Sequence, residues 1–127
     1  MALNELAAEI NANAVAHGFW EGERNFGEMI ALAHSELSEA LEEHRAGRAS
    51  VWYGEPILRA DAEEDCMGNY TLPGSFVRKP EGVAVELADC IIRCLDTMQS
   101  LGVDIDEVIA QKMDYNTARP YKHVRNY

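Results

Sequence analysis

Two short acidic pairs hold the groups in this chain best suited to chemistry. They are Glu36-Leu37-Ser38-Glu39, inside HSELSEALEEH, and Glu86-Leu87-Ala88-Asp89, inside VAVELADCIIRC. Both stretches have helical periodicity, so each i,i+3 pair sets two carboxylates on one helix face with Cβ atoms about 5–6 Å apart. If the two helices face one another, four acids converge, and such a cluster is relieved either by protonation or by a shared cation. Hard oxygen donors with no His or Cys among them suit Mg2+ or Mn2+. Mg2+ held by a few carboxylates completes its shell with water and phosphate oxygens. Glu36, Glu39, Glu86 and Asp89 are therefore the candidate catalytic and metal-ligating residues, with Mg2+ the expected cofactor and Mn2+ its alternative. Either pair alone also has a plain reading. Glu36, Glu39 and Glu43 make the acidic line of a solvated helix, and Arg93, one turn from Asp89, is a ready ion-pair partner.

Four helical segments position these groups. The first spans about Ala2 to His17, with apolar residues at Leu3, Leu6, Ala7, Ile10, Ala14 and Val15, and stops at Gly18. The connector that follows carries Phe19 and Trp20, which read either as core plugs or, for Trp20, as a stacking surface for a nucleobase. The second helix starts at an Asn25 cap, with Glu28 three residues on, and runs to about Arg45 before Gly47. A third begins near Glu81 and ends at Gly102. It is apolar around most of its circumference, which predicts burial on several sides and subunit contacts. Carboxylates on so apolar a helix are costly unless paired or ligated, so Glu86 and Asp89 need more explanation than the acids of the second helix. The fourth helix is capped by Asp104, with Glu107 three residues later, and ends at Pro120.

Residues 47–80 break the pattern. Pro56, Pro73, Pro80, Gly54, Gly68 and Gly74 punctuate them, and an irregular connection of this length is either functional or a solvated excursion. The expected architecture is thus one domain, 1–127, all-α, a bundle of four to five helices with a long irregular connection at 47–80. The active site would lie between helices, and the assembly would be oligomeric.

Charge narrows the partners. A net charge of −11 over 127 residues argues against a nucleic-acid polymer, which needs a basic face. A small polyphosphate accompanied by metal ions is compatible with it. Four of the eleven Lys and Arg residues fall within 112–127. Lys112, Asn116 and Arg119, spaced i, i+4 and i+7, share a face and offer donors to phosphate or sugar. No basic leader or apolar run of membrane-spanning length occurs, so the cytoplasm is the expected compartment and no membrane partner is expected. Cys66, Cys90 and Cys94 read as small buried hydrophobes rather than a disulfide frame.

The succession Glu36-xx-Glu39, Glu86-xx-Asp89, Lys112-xxx-Asn116-xx-Arg119-Pro120 resembles the MazG-like branch of the all-α nucleotide pyrophosphohydrolases. The surrounding ERNFGEMIALAHSELSEALEEHRAG and KPEGVAVELADCIIRCLD look familial too, and the likeness covers about two-thirds of the chain. The resemblance implies Mg2+-dependent cleavage of a nucleoside triphosphate between its α- and β-phosphates, giving the monophosphate and pyrophosphate. It implies metal ligation by Glu36, Glu39, Glu86 and Asp89, or by three of them with the fourth positioning or deprotonating the attacking water. It assigns phosphate or sugar contacts to Lys112, Asn116 and Arg119, and a homodimer or homotetramer as the assembly. Two departures stand out. The 47–80 connection is longer than in compact members, and the tail reads His123-Val124-Arg125 where similar sequences carry His-Gly-Gly-Lys. The alternative is a non-catalytic helical module that binds a nucleotide or a protein and keeps its acids as ion pairs.

Overall fold

Helix boundaries follow the capping residues. The Asn25 side chain accepts a hydrogen bond from the Glu28 backbone N–H at 2.8 Å, and the helix it opens ends where Gly47 turns to φ +69°. Asp104 likewise accepts from the Glu107 N–H at 3.2 Å. In this computed structural model residues 2–22 and 25–120 are described. Their elements in order are α1 (Leu3–Ala16), α2 (Phe26–Arg45), β1 (Trp52–Leu58), β2 (Phe76–Glu81), α3 (Val83–Ser100) and α4 (Ile105–Ala118). The tail with its expected departure at His123-Val124-Arg125 lies outside the described residues. None of the described helices is long and apolar enough to cross a membrane.

The chain divides into two compact units. One is Ala33–Cys90; the other combines the described residues on either side of it, so α2 and α3 each contribute to both. In the flanking unit Ala7, Leu95 and Ile105 form the buried core, with Leu3, Leu6, Ile10, Met98 and Ile109 packed against it. Its polar contacts are also specific. Ala2 gives α1 no side-chain cap. Instead Asp106, on α4, accepts from the Leu3 and Asn4 N–H groups at 2.8 and 3.3 Å, while the Asn4 side chain accepts from the Ile105 N–H at 2.8 Å. Two helix N-termini therefore satisfy each other across about a hundred residues of sequence, filling donors that a helix start otherwise leaves open.

The Ala33–Cys90 unit corrects the expected fold class. The chain is not all-α. Within the supposedly irregular 47–80 connection, β1 and β2 pair antiparallel, with Trp52 opposite Glu81, Tyr53 opposite Pro80, Pro56 opposite Arg78 and Leu58 opposite Phe76. The prolines that hid these strands are tolerable because a two-stranded sheet has an open edge on each side, and the register slips between Tyr53 and Pro56. Aromatic and β-branched residues, Trp52, Tyr53, Ile57, Phe76 and Val77, provide the strand preference. The 59–75 loop at the hairpin tip is ordered around Asp65. One oxygen of that carboxylate accepts from the Met67 and Asn69 N–H groups, both at 2.9 Å, and the other accepts from the Thr71 hydroxyl.

The start of α3 is fixed by a close backbone approach. Gly82 has φ +115°, and a Cβ there would come within 2.7 Å of the Ser50 carbonyl carbon and 2.9 Å of the Ala49 oxygen. The Ser50 carbonyl also accepts the Ala84 N–H at 3.0 Å. A side chain at Gly82 would meet backbone in a conformation that L residues resist, so this contact pins the first turn of α3, and with it Glu86, to the segment leaving α2. Burial departs from expectation in two places. The apolar girth of α3 is only partly covered, since Leu95 is buried while Leu87, Ile91 and Ile92 are exposed. The three cysteines form no disulfide, and Cys66 and Cys94 are exposed rather than buried.

Candidate metal centre

Both acidic pairs belong to the Ala33–Cys90 unit, on the second half of α2 and the first half of α3. One carboxylate oxygen from each of Glu36, Glu86 and Asp89 lies within 4.8 Å of the others. Glu36 is buried, at 7% exposure, although it sits on a helix that reads as solvated when its acids are taken alone. Glu39 is exposed and lies against Glu86, so the fourth acid borders the three-residue cluster on its solvent side.

The electrostatics follow from this crowding. Burial pushes the Glu86 carboxyl up to about 7, and neighbouring Glu39, Glu36 and Asp89 push in the same direction. Its Oε2 is enclosed and has no hydrogen-bond partner among the described residues. A buried oxygen left without a donor costs free energy, on the order of 1–3 kcal/mol. The donor set suits a hard divalent cation: every candidate ligand atom is a carboxylate oxygen, and the Glu86 side chain also carries the enclosed oxygen without a hydrogen-bond partner.

The remaining candidates lie in the flanking unit. Lys112 and Asn116 are exposed on α4, and Arg119 is its C-cap, one residue beyond the last helical turn. The Lys112 ammonium and the Arg119 guanidinium stand 4.9 and 5.5 Å from the Tyr115 ring centroid. Arg119 Nε is buried without a hydrogen-bond partner among the described residues. Trp20 is half-buried and donates through Nε1 to Asp96 at 2.9 Å; the same carboxylate accepts from Asn11 at 3.0 Å.

Sequence reasoning missed the cavity beside the acids. It measures about 390 Å³, opens to solvent, and is lined by Glu39, Glu43, Glu86, Arg48, Lys79 and Glu81 among others. That volume falls within the usual range of ligand sites, about 300–1,000 Å³. Arg48 pairs with Glu43 at 3.2 Å and lies 5.1 Å from the Trp52 ring centroid, while Trp52 Nε1 donates to the other Glu43 oxygen at 3.1 Å. The only signal in the sequence was Arg48 four residues before Trp52. Without the hairpin, nothing there placed Arg48 on the same cavity as Glu86. Comparison with known proteins adds no relative: no family model, curated protein or solved structure matches this chain.

Proposed function

We propose that this chain is a Mg2+-dependent nucleoside triphosphate pyrophosphohydrolase, turning an NTP or dNTP and water into the monophosphate and pyrophosphate. The reading joins the motif resemblance to the MazG-like pyrophosphohydrolases with one observation. Carboxylate oxygens from two helical segments, Glu36 on α2 and Glu86 and Asp89 on α3, gather within 4.8 Å, with Glu39 against Glu86. Glu36, Glu86 and Asp89 would hold the cation, and Glu39 would complete the set or act on water. When bound, Mg2+ acidifies a coordinated water and neutralises charge on phosphate oxygens. The side chains have distinct tasks around it. Buried Glu36 would hold the cation from the inner side, and Glu39, which is exposed, would take a proton from the attacking water and release it to solvent. Contacts of Lys112, Asn116 and Arg119 with phosphate or sugar oxygens would follow from the resemblance alone.

The same reading covers the partners. The substrate is a free nucleotide rather than a nucleic-acid polymer, and the compartment is the cytoplasm. A homodimer or homotetramer would cover apolar side chains such as Leu37, Leu41 and Leu87, which stand 46%, 47% and 44% exposed. The deciding experiment is a panel of NTPs and dNTPs incubated with Mg2+, read for both pyrophosphate and nucleoside monophosphate, with an EDTA control. At least one nucleotide is expected to yield the two products in equal amounts, and EDTA is expected to stop the reaction. Nucleotide binding without either product would identify the non-catalytic module instead.

A further inference from the structure

We propose that the hairpin of the Ala33–Cys90 unit and the segment leading into it supply phosphate-binding cations of this site: Arg48, between α2 and β1, and Lys79, on β2, grip a polyphosphate chain that enters the 390 Å³ cavity together with divalent metal. This rests on the proposed function above and deepens it, because it assigns the polyphosphate contact to residues outside the resemblance. Arg48 is held in place from two sides, by the Trp52 ring at 5.1 Å and by Glu43 at 3.2 Å, and the second Glu43 oxygen is itself fixed by Trp52 Nε1. A guanidinium has five N–H donors, so one stacked on a ring and bonded to one carboxylate oxygen still has donors to give to phosphate. Lys79 stands on β2, 3.6 Å from Glu81. Gly54 on β1 lies beside both, at the irregularity in the register: a Cβ there would stand in ordinary contact distance, 3.4 Å from Glu81 Oε2 and 3.9 Å from Lys79 Cβ.

Both cations are well exposed, at 55% and 72% of the side chain, and exposed ion pairs of this kind hold their partners weakly. A phosphate chain carries more charge than a single carboxylate and can draw either cation away from its glutamate. The wall also decides what kind of anion enters. Glu39, Glu43, Glu81 and Glu86 outnumber Arg48 and Lys79, so a free polyanion is repelled and only its complex with divalent cations is accepted.

The test uses the intact protein and inorganic tripolyphosphate, titrated calorimetrically with and without Mg2+, alongside a separate Mn2+ titration followed by electron paramagnetic resonance. Arg48→Gln and Lys79→Gln are each expected to weaken binding of the Mg2+ complex about tenfold. Arg48→Lys is expected to recover part of the loss, Mn2+ affinity is expected to stay within twofold of wild type, and tripolyphosphate without Mg2+ is expected not to bind. If wild type binds Mn2+ while both Gln variants bind the tripolyphosphate complex as wild type does, the hairpin assignment is overturned and the proposed function stands. Loss of Mn2+ binding in the Gln variants would also overturn it, since the cations would then be acting through the fold. A wild-type protein that binds no Mn2+ would overturn both.

Discussion

Glu39→Gln and Asp89→Asn are each expected to cut turnover of the preferred nucleotide about a thousandfold or more while leaving the fold intact. Each substitution preserves side-chain volume and removes one negative charge from a set whose oxygens already lie close together. Metal-assisted charge stabilisation contributes several kcal/mol to such reactions, and about 1.4 kcal/mol corresponds to a tenfold change in rate. Circular dichroism and melting should show native-like variants, because neither residue belongs to the buried apolar core. The kinetic signatures should differ. Asp89→Asn removes a candidate ligand and should raise the Mg2+ concentration needed for half-maximal rate. Glu39→Gln, at the solvent edge, should act mainly on kcat. Near-wild-type turnover in either variant would contradict the scheme.

The second large effect is on stability, and its sign is opposite to that of most carboxylates. The Glu86 carboxyl is raised from 4.5 to about 7 by burial and by Glu39, Glu36 and Asp89, so between these values the folded chain binds more protons than the unfolded one. Stability from this source is fully present below pH 4.5 and is lost as the pH rises through about 7. The metal-free protein should therefore melt several degrees lower at pH 8 than at pH 5, a loss on the order of 1–3 kcal/mol from this residue. Glu86→Gln should flatten that part of the profile and make the metal-free protein more stable than wild type at pH 8. Mg2+ should raise the wild-type melting temperature most at pH 8, where it no longer competes with the proton. A variant with the wild-type pH dependence would place the titration elsewhere.

Most of what was legible in the sequence was local. Helix periodicity and the Asn25 and Asp104 caps set α2 and α4 to within a residue or two, because a capping side chain acts on backbone only three residues away. The ExxE and ExxD spacings put the acids on helix faces for the same reason. The hairpin was not legible, because Pro56, Pro80 and Gly54 are strand breakers everywhere except at edges and bulges, and edges exist only once the strands have paired. Asp106 capping α1 was hidden likewise, since the helix it serves begins a hundred residues earlier. Burial of Glu36 could not be read from a line of acids that includes exposed Glu39. Both side chains reach Glu86, and what sets them apart is how far each is enclosed in the folded unit.

The central claim is that acids from α2 and α3 form one binding site for divalent cations, and the most direct measurement is a Mn2+ titration of the wild-type protein followed by electron paramagnetic resonance. Saturable binding is expected, with Mg2+ displacing the Mn2+, affinity rising from pH 6 to pH 8, and at least tenfold loss in both Glu36→Gln and Asp89→Asn. Weak, non-saturating binding that neither substitution changes would contradict the account, leaving the four carboxylates as an acidic surface without a cation site.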